Sequence, residues 1–237
     1  MALPRLNDVP YYELTVPSTK KIVRFRPFLI KEQKVLLIAY ESRDVKQIMN
    51  TVLDCISSCV ENIDVLKLST FDVDYIFTQI RSKAVGEKVD INMACKNCDA
   101  VNKLNVDLST INIDVPERDM HIVLNDTYTL KMKYPTYPDI INDKVILNEN
   151  RTATEQLLGT LRNCMEAIQT ENENILLKDE TVEEIDDFIN SLNEEQYTKI
   201  ADFVGSMPTL RHEQKYNCQS CEKEQTLVVE GLQDFFT

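Results

Sequence analysis

The chain has 237 residues, 43 % of them hydrophobic, with seven cysteines, four glycines and a formal net charge of −13 at pH 7. That apolar share is enough to bury a core, and so few glycines without any low-complexity stretch leave no long flexible linker. The acidic balance works against binding a polyanion. No apolar run approaches the length of a membrane span and the opening residues 1–8 lack the apolar core of a secretory signal, so a soluble, unsecreted chain is expected.

In chain order, residues 11–16 and 22–27 around a turn at 17–20 predict a hairpin whose second strand ends at Pro27. Its basic residues Lys20, Lys21, Arg24 and Arg26 alternate with Ile22, Val23 and Phe25, the pattern of a solvated strand face. The run Val35-Leu36-Leu37-Ile38-Ala39 reads as a buried helix, followed by a helix through residues 47–55. Cys55 and Cys59, one helical turn apart, are expected to face a core with Val52, Ile56 and Val60. A further helix is predicted to open at Ser69, and a knuckle, Cys95-Lys96-Asn97-Cys98, then stands between two strand-like runs.

The same order returns. Residues 121–124, a turn at 125–126 and residues 128–135 predict a second hairpin; residues 156–164 line up with 47–55; and a helix is expected from Ser191, with Tyr197 matching Tyr75. Between Glu166 and Glu195 the acidic excess accompanies Ile185, Phe188 and Ile189, which predicts a helix with a solvated acidic face. The second knuckle, Cys218-Gln219-Ser220-Cys221, precedes a strand over 225–229. Met93 and Tyr216 stand two positions before the knuckles, while Leu104, Val106, Leu227 and Val229 follow at matching distances.

These patterns predict an α+β fold made of two tandem pseudo-repeats, each a β-hairpin, helices and a strand-knuckle-strand. The expected divisions are an arm at 1–8, a first repeat at 9–118 and a second at 119–237. Neither half holds four ligands alone, so Cys95, Cys98, Cys218 and Cys221 predict one structural Zn2+ per chain in a zinc-ribbon-like, four-cysteine site joining the halves. Closure within one chain is favoured by the tether. The remaining three cysteines read as buried thiols.

An enzyme is not expected. The histidines are only His121 and His212, and neither a phosphate loop, a nucleophile elbow nor a histidine-carboxylate zinc motif is present. His212 could donate from behind the second knuckle, although an exposed polar residue on a loop is the commoner outcome for such a position. A redox Cys-x-x-Cys would sit at a helix N-terminus, whereas both knuckles precede strand-like sequence. Four thiolates leave no open coordination position.

The strand ending in Phe25-Arg26-Pro27-Phe28, running into the helix that begins Lys31-Glu32-Gln33-Lys34, resembles the small baseplate hub proteins of T4-like contractile-tailed phages. The end of the chain, from Cys218 through Leu227-Val228-Val229-Glu230 to Phe236, is similar to the C-terminus of that family. The resemblance implies a non-enzymatic structural role in the baseplate hub, in the virion after assembly in the host cytoplasm. It implies other hub and wedge proteins as partners, and no nucleic acid, membrane or small-molecule substrate. Tyr11, Tyr12, Leu232, Phe235 and Phe236 are the candidate contact residues. Two alternatives remain open, a transient hub assembly factor missing from the mature virion and a nucleic-acid-binding zinc ribbon; the charge disfavours the latter.

Overall fold

Alternating burial builds the first hairpin in this computed structural model, which describes residues 9–143 and 152–231. Strand β1 (Tyr12–Thr15) pairs antiparallel with β2 (Ile22–Phe25), burying Leu14, Val23 and Phe25 and leaving Arg24 in solvent. Helix α1 (Ile30–Ser42) follows, then α2 (Val45–Cys59), a 3-10 turn at Val65–Lys67 and α3 (Thr70–Ala84). Asp44 caps α2 by accepting the Gln47 N–H, and α2 buries Val52, Leu53, Cys55, Ile56 and Cys59 along one stripe, as the helical spacing predicts. The carboxylate of Asp72, fully buried in the first turn of α3, accepts hydrogen bonds from the Ser18 N–H and hydroxyl and from the Ser69 hydroxyl, tying the β1–β2 turn to that helix.

One expectation about α1 fails. The helix forms, but only Leu36 and Ala39 of its apolar run are buried, while Val35, Leu37 and Ile38 are 55–60 % exposed. Five successive apolar residues cover more than half a helical circumference, and α1 packs one side against α2.

Strands β3 (Lys88–Ala94) and β4 (Val101–Asp107) flank the first knuckle. The chain then enters a second region, β5 (His121–Val123), β6 (Thr129–Met132), α4 (Tyr137–Asn142), α5 (Ala153–Cys164), β7 (Met165–Gln169), β8 (Asn174–Leu176), a 3-10 turn at Leu177–Asp179, α6 (Val182–Asn190) and α7 (Glu194–Gly205). Its strands form one antiparallel sheet in the order β5-β6-β7-β8. Each helix here opens with a capping box, Thr136/Asp139, Thr152/Glu155, Thr181/Glu184 and Asn193/Gln196, which satisfies backbone N–H groups reciprocally. Hence α7 opens at Asn193, and Ser191, expected as a helix start, closes α6. The β7–β8 pair has no counterpart among the elements predicted from the sequence. Leu130, Met132, Leu161, Cys164, Met165, Ile185, Ile189, Ile200 and Phe203 lie in the core of this region.

Strands β9 (Arg211–Asn217) and β10 (Glu224–Glu230) flank the second knuckle. They belong with the first elements: described residues 9–115 and 209–231 make one compact unit, and those within Pro116–Pro208 make another. The molecule is thus α+β, with small sheets in both units. No helix among the described residues is long and apolar enough to cross a membrane.

Local geometry recurs along the chain. The Arg26 N–H donates to the Cys59 carbonyl (2.9 Å) and the Lys133 N–H to the Cys164 carbonyl (2.7 Å). Arg26 pairs with Glu32, and Lys133 with Asp139, each at 2.9 Å, with the acid in the capping box of the following helix. Cys164 closes α5 as Cys59 closes α2, whereas the sequence alignment sets Cys164 beside Cys55. The Leu108 N–H donates to the Glu87 carbonyl and the Gly231 N–H to the Leu210 carbonyl, closing the two knuckle hairpins alike.

Candidate metal centre

Each knuckle is a turn fixed by its backbone. Cys95 N–H donates to Ala100 and Asp99 N–H to Cys95 in the first; Cys218 N–H donates to Lys223 and Glu222 N–H to Cys218 in the second, all at 2.9–3.0 Å. The residue after each second cysteine, Asp99 or Glu222, takes a positive φ of 57° or 58°, which reverses the chain into the next strand. The flanking strands pair in the same register, Ala94 opposite Val101 and Asn217 opposite Glu224. Behind them Val106, Leu108, Ile111, Leu210, Leu227 and Val229 form one buried cluster, with Met93, Leu104 and Tyr216 packed against it. This shared core of the β3–β4 and β9–β10 hairpins brings the knuckles together.

The four sulfurs of Cys95, Cys98, Cys218 and Cys221 all lie within 4.8 Å of one another in a single chain. Cys95 Sγ is 3.7 Å from Cys221 Sγ, and Cys98 Sγ is 3.7 Å from Cys218 Sγ. A disulfide requires about 2.05 Å. A tetrahedron of Zn–S bonds of about 2.3 Å has edges of about 3.8 Å, so the spacing fits a tetrahedral thiolate site.

The electrostatics also fit a cation. Cys218 is pushed down to about 6 by the amide N–H groups of Cys221 and Ser220, with a contribution from Asn102, against desolvation. The Lys223 amide likewise lowers Cys221. Cys98 receives the Ala100 amide, yet desolvation and the three neighbouring sulfurs outweigh it and push the thiol up to about 11. Crowded thiols cannot all ionise without a positive charge among them; a divalent metal supplies it. The remaining cysteines sit apart from this chemistry. Burial pushes Cys164 up to about 12, its thiol 3.6 Å from Met207 Sδ, and the hydrogen bond with Cys59 together with burial raises Cys55. All three, Cys55, Cys59 and Cys164, are buried thiols as expected.

His212 does not stand behind the second knuckle. It pairs with Val229 near the far end of β9, six residues from Cys218, or about 20 Å along a strand. Among the described residues, the Asn102 side chain reaches Cys218 Sγ, a contact the sequence reading passed over because a single asparagine in a strand carries no metal signal. Lys223 Nζ also donates across the knuckles to Asn97 Oδ1 at 2.7 Å.

Of the candidate contact residues, Tyr11 is 48 % exposed under the Arg24 guanidinium. Tyr12 lies against Phe25 with ring centres 5.6 Å apart, so much of its surface serves the hairpin itself. Leu232, Phe235 and Phe236 lie outside the described residues. The exposed side of α1 carries Ile30 together with Val35, Leu37 and Ile38, the last three expected from the sequence to be buried.

No curated protein and no solved structure shows significant similarity to the chain. A family model described as T4 bacteriophage base plate protein matches residues 9–237. With that match running from the first hairpin through the second knuckle, the chain belongs to the family of T4 bacteriophage base plate proteins.

Proposed function

We propose that this chain is a non-enzymatic structural component of the central hub of a contractile-tail baseplate, and that Cys95, Cys98, Cys218 and Cys221 hold one structural zinc. The observation that carries the role is the family match over 9–237; four sulfurs at tetrahedral spacing support the metal. Zinc suits them because thiolates with no open position make a closed site that contributes folding energy rather than reactivity.

The tandem duplication over 9–118 and 119–237 belongs to this proposal. Its support is the recurring Arg26/Glu32/Cys59 and Lys133/Asp139/Cys164 geometry and the twin knuckle hairpins. The β7–β8 pair and α6 then read as an insertion in the second copy, since α3 and α7 each lead into a knuckle hairpin. Zinc pins the halves by joining the knuckle of one repeat to that of the other.

Exposed apolar side chains on α1, and separately the exposed Tyr11, support contacts to other hub and wedge proteins, because apolar surface left in solvent is what a protein neighbour covers. The net charge of −13 opposes a nucleic-acid role. The test is to delete the gene and to assay purified particles for the protein by mass spectrometry. Halted assembly with the protein present in wild-type particles is expected. Halted assembly with the protein absent from particles would identify a transient assembly factor, and normal infectious particles without it would reject the role. Removing residues 232–237 is expected to leave a folded, zinc-loaded chain that fails to enter hub complexes; normal entry would reject that terminus as a contact.

A further inference from the structure

Asn102 is 1 % exposed, and a buried amide is costly unless its donors and acceptor are used. Its partners are all knuckle atoms. Nδ2 donates to the Ala100 carbonyl at 3.0 Å and to Cys218 Sγ at 3.6 Å, and Oδ1 accepts the Gln219 N–H at 2.9 Å. The amide orientation follows from these neighbours, because the Gln219 N–H needs an acceptor and the Ala100 carbonyl a donor.

The residue stands on β4 of the first knuckle hairpin, opposite Met93, yet two of its three bonds go to the second knuckle. The equivalent place in the second hairpin, opposite Tyr216, is Gln225. Asparagine and glutamine differ in length, so the two hairpins are not alike at this place. Cys218 thereby receives the Asn102 side-chain N–H in addition to the backbone amides of its own knuckle, Ser220 at 3.5 Å among them. Four thiolates on one divalent ion leave an excess of negative charge on sulfur, and donors aimed at sulfur offset it.

Taking the four cysteines as zinc ligands, as proposed above, we infer that Asn102 is a positioning residue of the metal centre. Its N–H holds the Cys218 sulfur and draws charge from it, and its carbonyl oxygen holds the second knuckle against the first. Asparagine suits the place because it carries both groups on one short side chain. Aspartate keeps the acceptor for Gln219 but loses the donor to sulfur; alanine loses both.

The test uses the full chain as wild type, Asn102→Asp and Asn102→Ala, each loaded with zinc or with cobalt(II) as a spectroscopic substitute. Zinc affinity is read by chelator competition, sulfur-to-cobalt charge transfer by absorption, and helix content by far-UV circular dichroism. Both variants are expected to keep their helices, bind zinc at least about tenfold more weakly and shift the charge-transfer band. Asn102→Asp should be no better than Asn102→Ala, although it retains the Gln219 bond. Wild-type metal uptake with Asn102→Asp matching wild type in affinity and band position would overturn the inference alone, leaving the asparagine as a backbone tie. A wild-type chain that takes up no metal would remove the zinc reading and this inference with it.

Discussion

The sulfurs of Cys98 and Cys218 lie 3.7 Å apart although 120 positions separate them. Cys98→Ser should accordingly abolish metal retention, from close to one equivalent per chain to about none by elemental analysis. The hairpins carrying the knuckles should become protease-sensitive while the far-UV signal of the helices largely survives, because α2 and α3 keep their own buried stripes.

Cys55→Ser should behave oppositely. The residue is 4 % exposed and is not part of the sulfur cluster. Burying a hydroxyl in place of the thiol that bonds Cys59 is expected to cost about 1–3 kcal/mol, with metal content unchanged. Comparing chemical denaturation with elemental analysis separates structural thiols from ligands.

Stability should fall in acid partly through Glu32. Burial alone would raise its carboxyl, but hydrogen bonds from Arg26, the Leu29 amide and Lys31 outweigh that and hold it below the usual value. A group depressed in the folded state gives stability that is fully present above its unfolded pKa, about 4.3, and is lost as pH falls through the lower folded value. Urea midpoints measured from pH 6 down to pH 3 should therefore drop more for wild type than for Glu32→Gln, which has no carboxylate to protonate.

The two sides of α1 predict a contrast between adjacent leucines. Leu36 is 6 % exposed and Leu37 is 55 % exposed. Leu36→Ala should cost about 2–4 kcal/mol, whereas Leu37→Ala should stay within about 0.5 kcal/mol. Thermal or urea unfolding of the two variants measures it, and equal losses would show Leu37 buried in solution.

Asp72→Ala should destabilise by about 3 kcal/mol, because Ser18 and Ser69 lose a buried acceptor that joins the β1–β2 turn to α3. Hydrogen exchange should rise first at that turn.

The sequence by itself determined the local elements and singled out the four cysteines that the structure brings together. Period-two alternation gave β1 and β2, one apolar stripe gave α2, and paired Cys-x-x-Cys spacing named all four sulfurs, since these signals reside in neighbouring residues. Periodicity also supplied the helix of α1 but not its exposed side, because an apolar run is the same string whether a second layer covers it or not. The tertiary structure alone decided which elements share a compact unit. Two hairpins distant in sequence bury one cluster around Val106, Leu227 and Val229, so β9 and β10 fold with the first elements of the chain while Pro116–Pro208 forms its own core. It alone put Asn102 on Cys218 as well, for a hydrogen bond across 116 positions depends on that packing and leaves no periodic trace along the chain.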